Sequence, residues 1–138
     1  EIMGEDKNRF NEWKYPIIED GKPTKYNWVV QNVEGLELGL KTDIGSFSYI
    51  NAKYGVFIGD EVQIGSHCSI YSVSTIDNTS GKVTLKRNSK IGSHSTILPG
   101  ITIGKNSIIG AHSLVNTDIP DNVIAVGVPA KVIKKINA

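Results

Sequence analysis

The feature of this chain that most constrains its fold is a period of six residues. Aliphatic residues recur at that spacing, at Ile58, Ile64, Ile70, Leu85, Ile91, Ile97, Ile103, Ile109 and Val115. A period of six fits neither the face of a helix nor the two-residue alternation of an ordinary strand. It fits short strands that turn a corner every six residues. A glycine follows many of the aliphatic residues, where a corner needs unusual backbone angles.

Near copies of one segment indicate how the strands stack. Residues 83–98 and 101–116 share seven of sixteen aligned positions at an offset of 18, and a third copy lies at 56–71. Hexapeptide repeats are typical of a parallel β-helix, and an offset of 18 corresponds to three hexapeptides, or one coil. The sequence therefore predicts an all-β solenoid whose coils stack about 4.8 Å apart. A β-sandwich is rejected because it leaves the sixfold ladder unexplained.

Small residues stand two positions before an aliphatic residue, at Ser48, Cys68, Ser95 and Ser113. They are expected to fill a narrow interior beside the aliphatic ladder, so Cys68 is predicted to be a buried filler rather than a reactive thiol. Cys68 is also the single cysteine of the chain, which excludes an internal disulfide and a cluster of metal-binding thiolates.

Departures from the period predict the domain organisation. A polar, turn-rich excursion loop is expected at 72–82, because the copies at 56 and 83 are offset by 27 residues. A smaller irregularity falls at 51–57. The β-helix is predicted over residues 42–119, and a closing segment restricted by two prolines over 120–138.

The segment 1–41 lacks the sixfold pattern and is rich in aromatic residues, namely Phe10, Trp13, Tyr15, Tyr26 and Trp28. Solenoids need caps at their ends, so this segment is predicted to cover the open end of the first coil. A contribution of the segment to an acceptor pocket stays open as the alternative.

The overall charge excludes strongly electrostatic functions. Lysine and arginine number 15 and aspartate and glutamate 14, so no strong field favours nucleic acid or a membrane surface. No stretch approaches the roughly 18 apolar residues of a membrane span, and no signal-like start is visible. We therefore predict a cytoplasmic protein with no nucleic-acid partner and no membrane span.

Two runs carry a family likeness: IGSHSTILPGITIGKNSIIGAHSLV (91–115) and DIPDNVIAVGVPAKVIKKI (118–136). They resemble the hexapeptide-repeat acyltransferases, most of all the galactoside and maltose O-acetyltransferase branch, and the likeness covers about residues 42–136. It implies a left-handed parallel β-helix, an exception to the right-handed crossover rule. It also implies a homotrimer that binds acetyl-CoA in clefts between neighbouring subunits.

The resemblance implies contacts for acetyl-CoA and for the acceptor. Small residues that follow an Ile-Gly pair, Ser93 and Ala111, match contacts to CoA, and their offset of 18 puts them on one face. Lys131 and Lys134 match contacts to the nucleotide end, where the family pattern has arginine, which forks onto phosphate better. Asn51 matches a polar residue near the cleft and is expected to bind substrate.

The expected catalytic base is missing from its usual place. Acyl transfer to a hydroxyl or amine needs a group that takes the attacking proton, and neutral histidine suits this near pH 7. In the galactoside branch that histidine lies in the excursion loop, whereas this loop has none and aligns Thr75 or Ile76 there. An amine acceptor attacks with less help from a base, which is one explanation.

The three histidines, His67, His94 and His112, share one repeat position, and the simplest interpretation is a row of inherited corner residues. His67 is the preferred candidate base, because the thioester of a donor bound along Ala111 and Ser93 points toward earlier coils. Asp77 in the loop is the candidate that orients its imidazole. His94 is the second catalytic candidate, although galactoside-type relatives carry GSH there without using it as the base.

The predicted function is therefore an acetyl-CoA-dependent O- or N-acetyltransferase acting on a small sugar or nucleotide-sugar, as in polysaccharide biosynthesis. One alternative is a β-helix protein with a binding or structural role and no chemistry, because a fold does not prove a function. Another is a zinc protein like the γ-class carbonic anhydrases. Zinc is disfavoured because 26 and 17 residues separate the histidines, and no pair has the H-x4-H spacing of that class. No metal is expected.

Overall fold

The computed structural model describes residues 10–137, which contain seventeen short strands, most of them coiled into a parallel β-solenoid with three faces. Sheet A contains β1 (Val29–Gln31), β4 (Tyr49–Asn51), β7 (Ser69–Tyr71), β12 (Thr96–Ile97) and β15 (Leu114–Val115). Sheet B contains β2 (Leu36–Leu38), β5 (Val56–Ile58), β10 (Val83–Leu85) and β13 (Thr102–Ile103). Sheet C contains β3 (Asp43–Ile44), β6 (Gln63–Ile64), β11 (Lys90–Ile91), β14 (Ile108–Ile109), β16 (Val123–Gly127) and β17 (Ala130–Lys135). The strands β8 (Val73–Ser74) and β9 (Thr79–Ser80) form a separate antiparallel hairpin.

The strand register confirms the all-β solenoid, with a coil of 18 residues from β10 to β15 and an offset of 20 in the coils before β7, where Tyr49 pairs with Ser69. Lys90 of β11 pairs with Ile108 of β14, an offset of 18. Across the excursion loop, Val56 of β5 pairs with Val83 of β10, an offset of 27. The loop therefore adds chain without disturbing the stacking, because the strands on either side of it still pair in parallel.

The aliphatic ladder forms the core, as the period predicts. Each of the nine ladder residues from Ile58 to Val115 is at most 3% exposed. The small residues are buried beside them, with Ser48 2%, Cys68 1%, Ser95 0% and Ser113 3% exposed. Removing an aliphatic side chain of this size from water contributes about 1.5–3 kcal/mol, so a ladder of nine is the main source of stability.

The solenoid begins earlier than the sequence period indicates. The first coil starts at β1, which pairs in parallel with β4, while β2 pairs with β5. Its first two strands, β1 and β2, lie inside the segment 1–41 that was expected to be a cap. The period is hidden there because Val30 and Leu38 are eight residues apart, and a 3-10 turn at Val33–Gly35 lengthens the corner between them. The boundary of the β-helix therefore moves from residue 42 to Val29.

The chain ahead of β1 packs against the first coil. Trp28 is 3% exposed and belongs to the core, and its carbonyl accepts a hydrogen bond of 2.9 Å from Thr24 N. Further out, Trp13 Nε1 donates to Thr42 O at 2.8 Å and fastens the segment 10–28, the strap, to the coil. The rest of the expected cap, residues 1–9, lies outside the described residues.

At the other end, β16 extends sheet C and β17 turns back antiparallel beside it. Below it, one corner of the prism is held by asparagines. Asn88, Asn106 and Asn122 adopt positive φ, and their side-chain amides form successive hydrogen bonds of 2.9 Å. Among the described residues there is no helix of the length and apolarity that a bilayer crossing requires.

Candidate active site at a corner of the solenoid

Four successive turns connect sheet C to sheet A, and this column is the histidine corner: residues 45–48, 65–68, 92–95 and 110–113. Each turn begins with a glycine, and the coils approach so closely that a Cβ on Gly92 would lie 2.5 Å from Ala111 N. The third residue of each turn has a φ between 59° and 65°. Because every turn has the same backbone, the third side chains leave the solenoid in one column.

The column consists of stacked rings. The centroids of His67 and His94 are 4.6 Å apart with the rings inclined by 5°, and those of His94 and His112 are 4.8 Å apart at 6°. Phe47 occupies the same position in the first coil and lies 5.2 Å from His67. All three imidazoles are exposed. The predicted common repeat position of the histidines is therefore a continuous ladder on the surface.

Behind the rings, the interior of the corner holds Cys68. Its thiol donates to Gly92 O at 3.2 Å, and its backbone N–H donates to Ser48 Oγ at 3.1 Å. Burial raises the pKa of the Cys68 thiol, in spite of backbone hydrogen bonds that act in the opposite direction. Cys68 is thus confirmed as a buried filler, since a protonated thiol inside the coil is a poor nucleophile.

The residues matched to CoA contacts line one face. His112 N donates to Ser93 O at 2.9 Å, so Ser93 and Ala111 lie on adjacent coils of the same wall, as the sequence period predicts. Lys131 and Lys134 are exposed on β17, paired with Val126 and Ile124 of β16. The two lysines therefore lie at the end of sheet C, two strands beyond β14, the strand that leads into Ala111.

The remaining candidates, Asn51 and Asp77, lie at or beside a different corner. Turns from sheet A to sheet B form the hairpin corner: residues 32–35, 52–55, 72–82, 98–101 and 116–118. Asn51 is at the end of β4 beside this corner, where its amide donates to Tyr49 Oη at 3.3 Å and its Oδ1 accepts from Asn32 Nδ2 at 3.1 Å. Asn51 is thus part of a polar cluster and only partly exposed.

Asp77 lies in the hairpin itself. Its carboxylate accepts from Thr79 Oγ1 at 2.9 Å, and hydrogen bonds from Ser74 and then Thr79 lower the pKa of Asp77. Ser74 and Thr79, the partners of Asp77 among the described residues, both belong to the hairpin that contains Asp77. The three residues of β7, spanning about 10 Å, separate that corner from His67. The contact between Asp77 and His67 that the sequence suggested is therefore not formed within this chain.

The same histidines are also the candidate ligands of a metal ion. Within residues 10–137 no group of three or more His, Cys, Asp or Glu residues is arranged to hold a metal ion. The ladder rings lie face to face, so their ring nitrogens do not converge on one point, whereas a tetrahedral zinc site needs converging ligands. The described residues therefore offer no donor set for zinc.

Part of the chain matches a known family model. The model described as bacterial transferase hexapeptide (six repeats) matches residues 82–117. These residues carry the hexapeptide repeat. The expected resemblance to hexapeptide-repeat acyltransferases of the galactoside and maltose O-acetyltransferase kind is confirmed by named relatives and solved structures.

Similar proteins include two curated acetyltransferases. The chain is 44% identical over 93 residues to galactoside O-acetyltransferase of Escherichia coli strain K12, covering 61% of this chain and 46% of that protein. It is 33% identical over 135 residues to serine acetyltransferase of Synechococcus elongatus, covering 91% and 54%. A solved structure of galactoside acetyltransferase in complex with coenzyme A matches with a TM-score of 0.71 and 33% identity, over 80% of this chain and 60% of that one. The hexapeptide-repeat chain spans about half the length of the curated relatives it matches.

Proposed function

We propose that this hexapeptide-repeat protein is an acetyl-CoA-dependent acetyltransferase that acts on a hydroxyl or amino group of a small sugar or nucleotide-sugar. The observation that carries the proposal is the single face on which Ser93 and Ala111 adjoin three exposed imidazoles and lead to two lysines. Relatives named as acetyltransferases, and a similar structure with coenzyme A bound, support it.

The chemistry of the face suits the donor. Ser93 and Ala111 carry small side chains, which leave the backbone of two adjacent coils open to close approach by a pantetheine arm. Lys131 and Lys134 are exposed and supply positive charge for phosphates. A donor held in this direction has its nucleotide at the lysines and its thioester toward the coil of His67.

His67 serves as the base in this proposal, with His94 as the second candidate. A nitrogen of the imidazole accepts the proton of the acceptor's hydroxyl or amino group while that oxygen or nitrogen bonds to the thioester carbonyl carbon. The carbon–sulfur bond breaks, and the imidazolium returns the proton to the sulfur, which leaves as the thiol. Proton transfer by a positioned side chain contributes about 10²- to 10⁴-fold to such a rate.

A homotrimer completes the site in this proposal. Asn51 and the hairpin with Asp77 lie across sheet A from the histidines of their own chain, so they approach a histidine corner only from a neighbouring subunit. There Asn51 binds the acceptor and Asp77 orients His67. Ile76, next to Asp77, is 99% exposed at the hairpin tip, and contact with a second subunit removes this apolar side chain from water.

The proposal is tested by the release of free CoA thiol from acetyl-CoA with a panel of sugars, amino sugars and nucleotide-sugars. With an active acceptor, His67→Ala is expected to lower kcat by about 10²- to 10⁴-fold, because the proton of the attacking group then has no acceptor. His112→Ala is the matched control, since His112 is stacked in the same ladder two coils away and is expected to retain activity.

The outcomes separate the classes of function. If His67→Ala retains full activity and His94→Ala loses activity, the base is His94, on the next coil. Absence of acetyl-CoA binding by calorimetry, with no turnover of any acceptor, supports a binding or structural protein instead. Light scattering of the intact protein tests the trimer, and a monomer that transfers acetyl groups contradicts the site between subunits.

A further inference from the structure

A large cleft lies beneath the strap. It has a volume of about 1080 Å³ and lies between the strap and the first coil, with residues 42–46 as its floor. None of the residues matched to the donor, and neither Asn51 nor Asp77, lines it. Ligand sites are commonly clefts of about 300–1,000 Å³, so this cleft has room for more than a single sugar ring.

The walls of the cleft are aromatic. Trp13 and Tyr15 meet edge to face with centroids 6.0 Å apart and an angle of 82°, so they present two ring surfaces nearly at right angles. Tyr15 is 54% exposed and Tyr26 55% exposed, although both line a concave surface. A pyranose ring carries its C–H groups on its faces and its hydroxyls at its rim, and therefore packs its faces on such rings.

The charges of the lining favour an uncharged ligand. Three lysines and three carboxylates line the cleft, namely Lys14, Lys22, Lys25, Glu12, Glu19 and Asp43. Lys22 forms an ion pair of 3.2 Å with Glu19, and Lys25 Nζ lies 5.4 Å from the ring centroid of Tyr26. Because the formal charges cancel, the cleft supplies no net attraction for a diphosphate, whereas polar side chains of both signs suit sugar hydroxyls.

The cleft is joined to the histidine ladder by hydrogen bonds. Ser46 lines the cleft, and its Oγ donates to Tyr26 O at 3.1 Å. The carbonyl of Ser46 accepts from His67 N at 3.0 Å, and the ring of the next residue, Phe47, contacts the His67 ring at a tilt of 41°. Of the three histidines, His67 is therefore the one that adjoins the coil forming the floor of the cleft.

We propose that this aromatic cleft binds the non-reacting part of an uncharged saccharide acceptor and presents the reacting group toward His67. The proposal rests on the proposed acetyl transfer for its purpose, but the binding itself does not need it. It assigns the strap a role in acceptor selection in addition to covering the coil. It also gives a reason for His67, rather than His94 or His112, to be the base.

Binding is tested on the whole protein without acetyl-CoA, by intrinsic tryptophan fluorescence during titration with lactose, maltose and N,N′-diacetylchitobiose. Concentrations up to about 50 mM detect Kd values in the millimolar range. Both tryptophans line the cleft, but Trp28 is 3% exposed whereas Trp13 is partly exposed, so the variant Trp13→Phe identifies which of them reports binding. At least one disaccharide is expected to change the emission of the wild type and to leave Trp13→Phe unchanged.

Variants locate the binding in the cleft. Tyr15→Ala and Tyr26→Ala remove exposed rings and are each expected to weaken saccharide binding about tenfold, the loss of one ring contact. Tyr54→Ala is the matched control, because Tyr54 is 50% exposed but lies outside the cleft and is expected to leave binding unchanged. Absence of binding by all three disaccharides, or tighter and salt-sensitive binding of dTDP or UDP at Trp13, overturns the proposal.

Kinetics distinguish this proposal from the proposed function. If acetyl transfer occurs and Tyr15→Ala and Tyr26→Ala leave the acceptor KM unchanged, the cleft assignment is wrong while the enzyme stands. If the disaccharides bind at Trp13 and no acceptor is acetylated, the saccharide site stands and the acetyltransferase fails. Both hold if the variants raise the acceptor KM about tenfold with the KM for acetyl-CoA unchanged.

Discussion

The histidine corner and the hairpin corner border the same sheet and follow opposite rules. Every described turn of the histidine corner has four residues, a leading glycine and a positive φ at its third residue. At the hairpin corner the connection grows from four residues, 52–55, to eleven, 72–82, which contain two strands of their own. Uniform turns keep side chains in one column, whereas a variable turn leaves the coil intact and carries what is particular to this chain.

The largest effect is expected where the histidine corner is tightest. Gly92→Ala places a methyl group 2.5 Å from Ala111 N and 2.8 Å from Ala111 Cα, backbone atoms that have no room to move. Overpacking of this kind is expected to lower the free energy of unfolding by about 3 kcal/mol, measured by urea denaturation.

The matched control is Gly100→Ala at the hairpin corner. A Cβ there meets nothing within 4 Å, and the cost comes only from its φ of +82°. The expected loss is about 1 kcal/mol, since a left-handed backbone penalises an L residue by that order. Equal losses in the two variants would remove the distinction between a tight corner and an open one.

The second prediction concerns the reactivity of the buried thiol inside the histidine corner. Cys68 is 1% exposed, and burial raises its pKa, so the thiolate forms only at a pH above the usual thiol range, about 8.5. At pH 8, iodoacetamide is expected to alkylate the native protein at least about 100-fold more slowly than the protein in guanidinium chloride.

The sign of the linkage follows from the same shift. Because the folded state holds the thiol proton more tightly than the unfolded state, Cys68 contributes stability that declines as the pH rises past the unfolded thiol pKa. Alkylation by mass spectrometry and unfolding at rising pH check both statements. A native rate equal to the unfolded rate would show that this corner opens freely.

The smallest expected effect on stability lies at the hairpin. Replacing residues 73–80 by Asn-Gly is geometrically simple, because Gly81 N already donates to Ser72 O at 2.9 Å. The unfolding free energy is expected to change by less than about 1 kcal/mol, since sheets A and B keep their pairings. Acetyl transfer is expected to fall about tenfold or more through loss of Asp77. Unchanged transfer would show that the hairpin corner takes no part in catalysis.

The sequence predicts the parts of this molecule that depend on repetition. From Ile58 to Val115, spacings of six identify the nine aliphatic side chains of the buried ladder, and an offset of 18 places Ser93 under Ala111. The stacking of His94 on His112 follows from the same offset. These relations are predictable because identical coils repeat one local geometry.

The parts that depend on non-repeated contacts are not predictable in the same way. The first coil escapes the period because Val30 and Leu38 are eight rather than six residues apart and Phe47 replaces histidine in the column. The cleft under the strap depends on how Trp13 reaches Thr42, a contact 29 residues away in sequence. The separation of Asp77 from His67 was predictable from the sequence, because the ladder residue Ile70, and therefore a strand, lies between the two residues.

Because β17 turns back antiparallel beside β16, its lysines lie at a fixed distance from the coil of His67. Three coil spacings, about 14 Å, separate β16, beside the lysines, from β6, which leads into His67. This distance is a whole number of coil spacings, so the insertion or deletion of coils changes it only in steps of about 4.8 Å. A donor bound along this face must span that number of coils, and inserting a single coil would move the lysines one coil spacing further from His67.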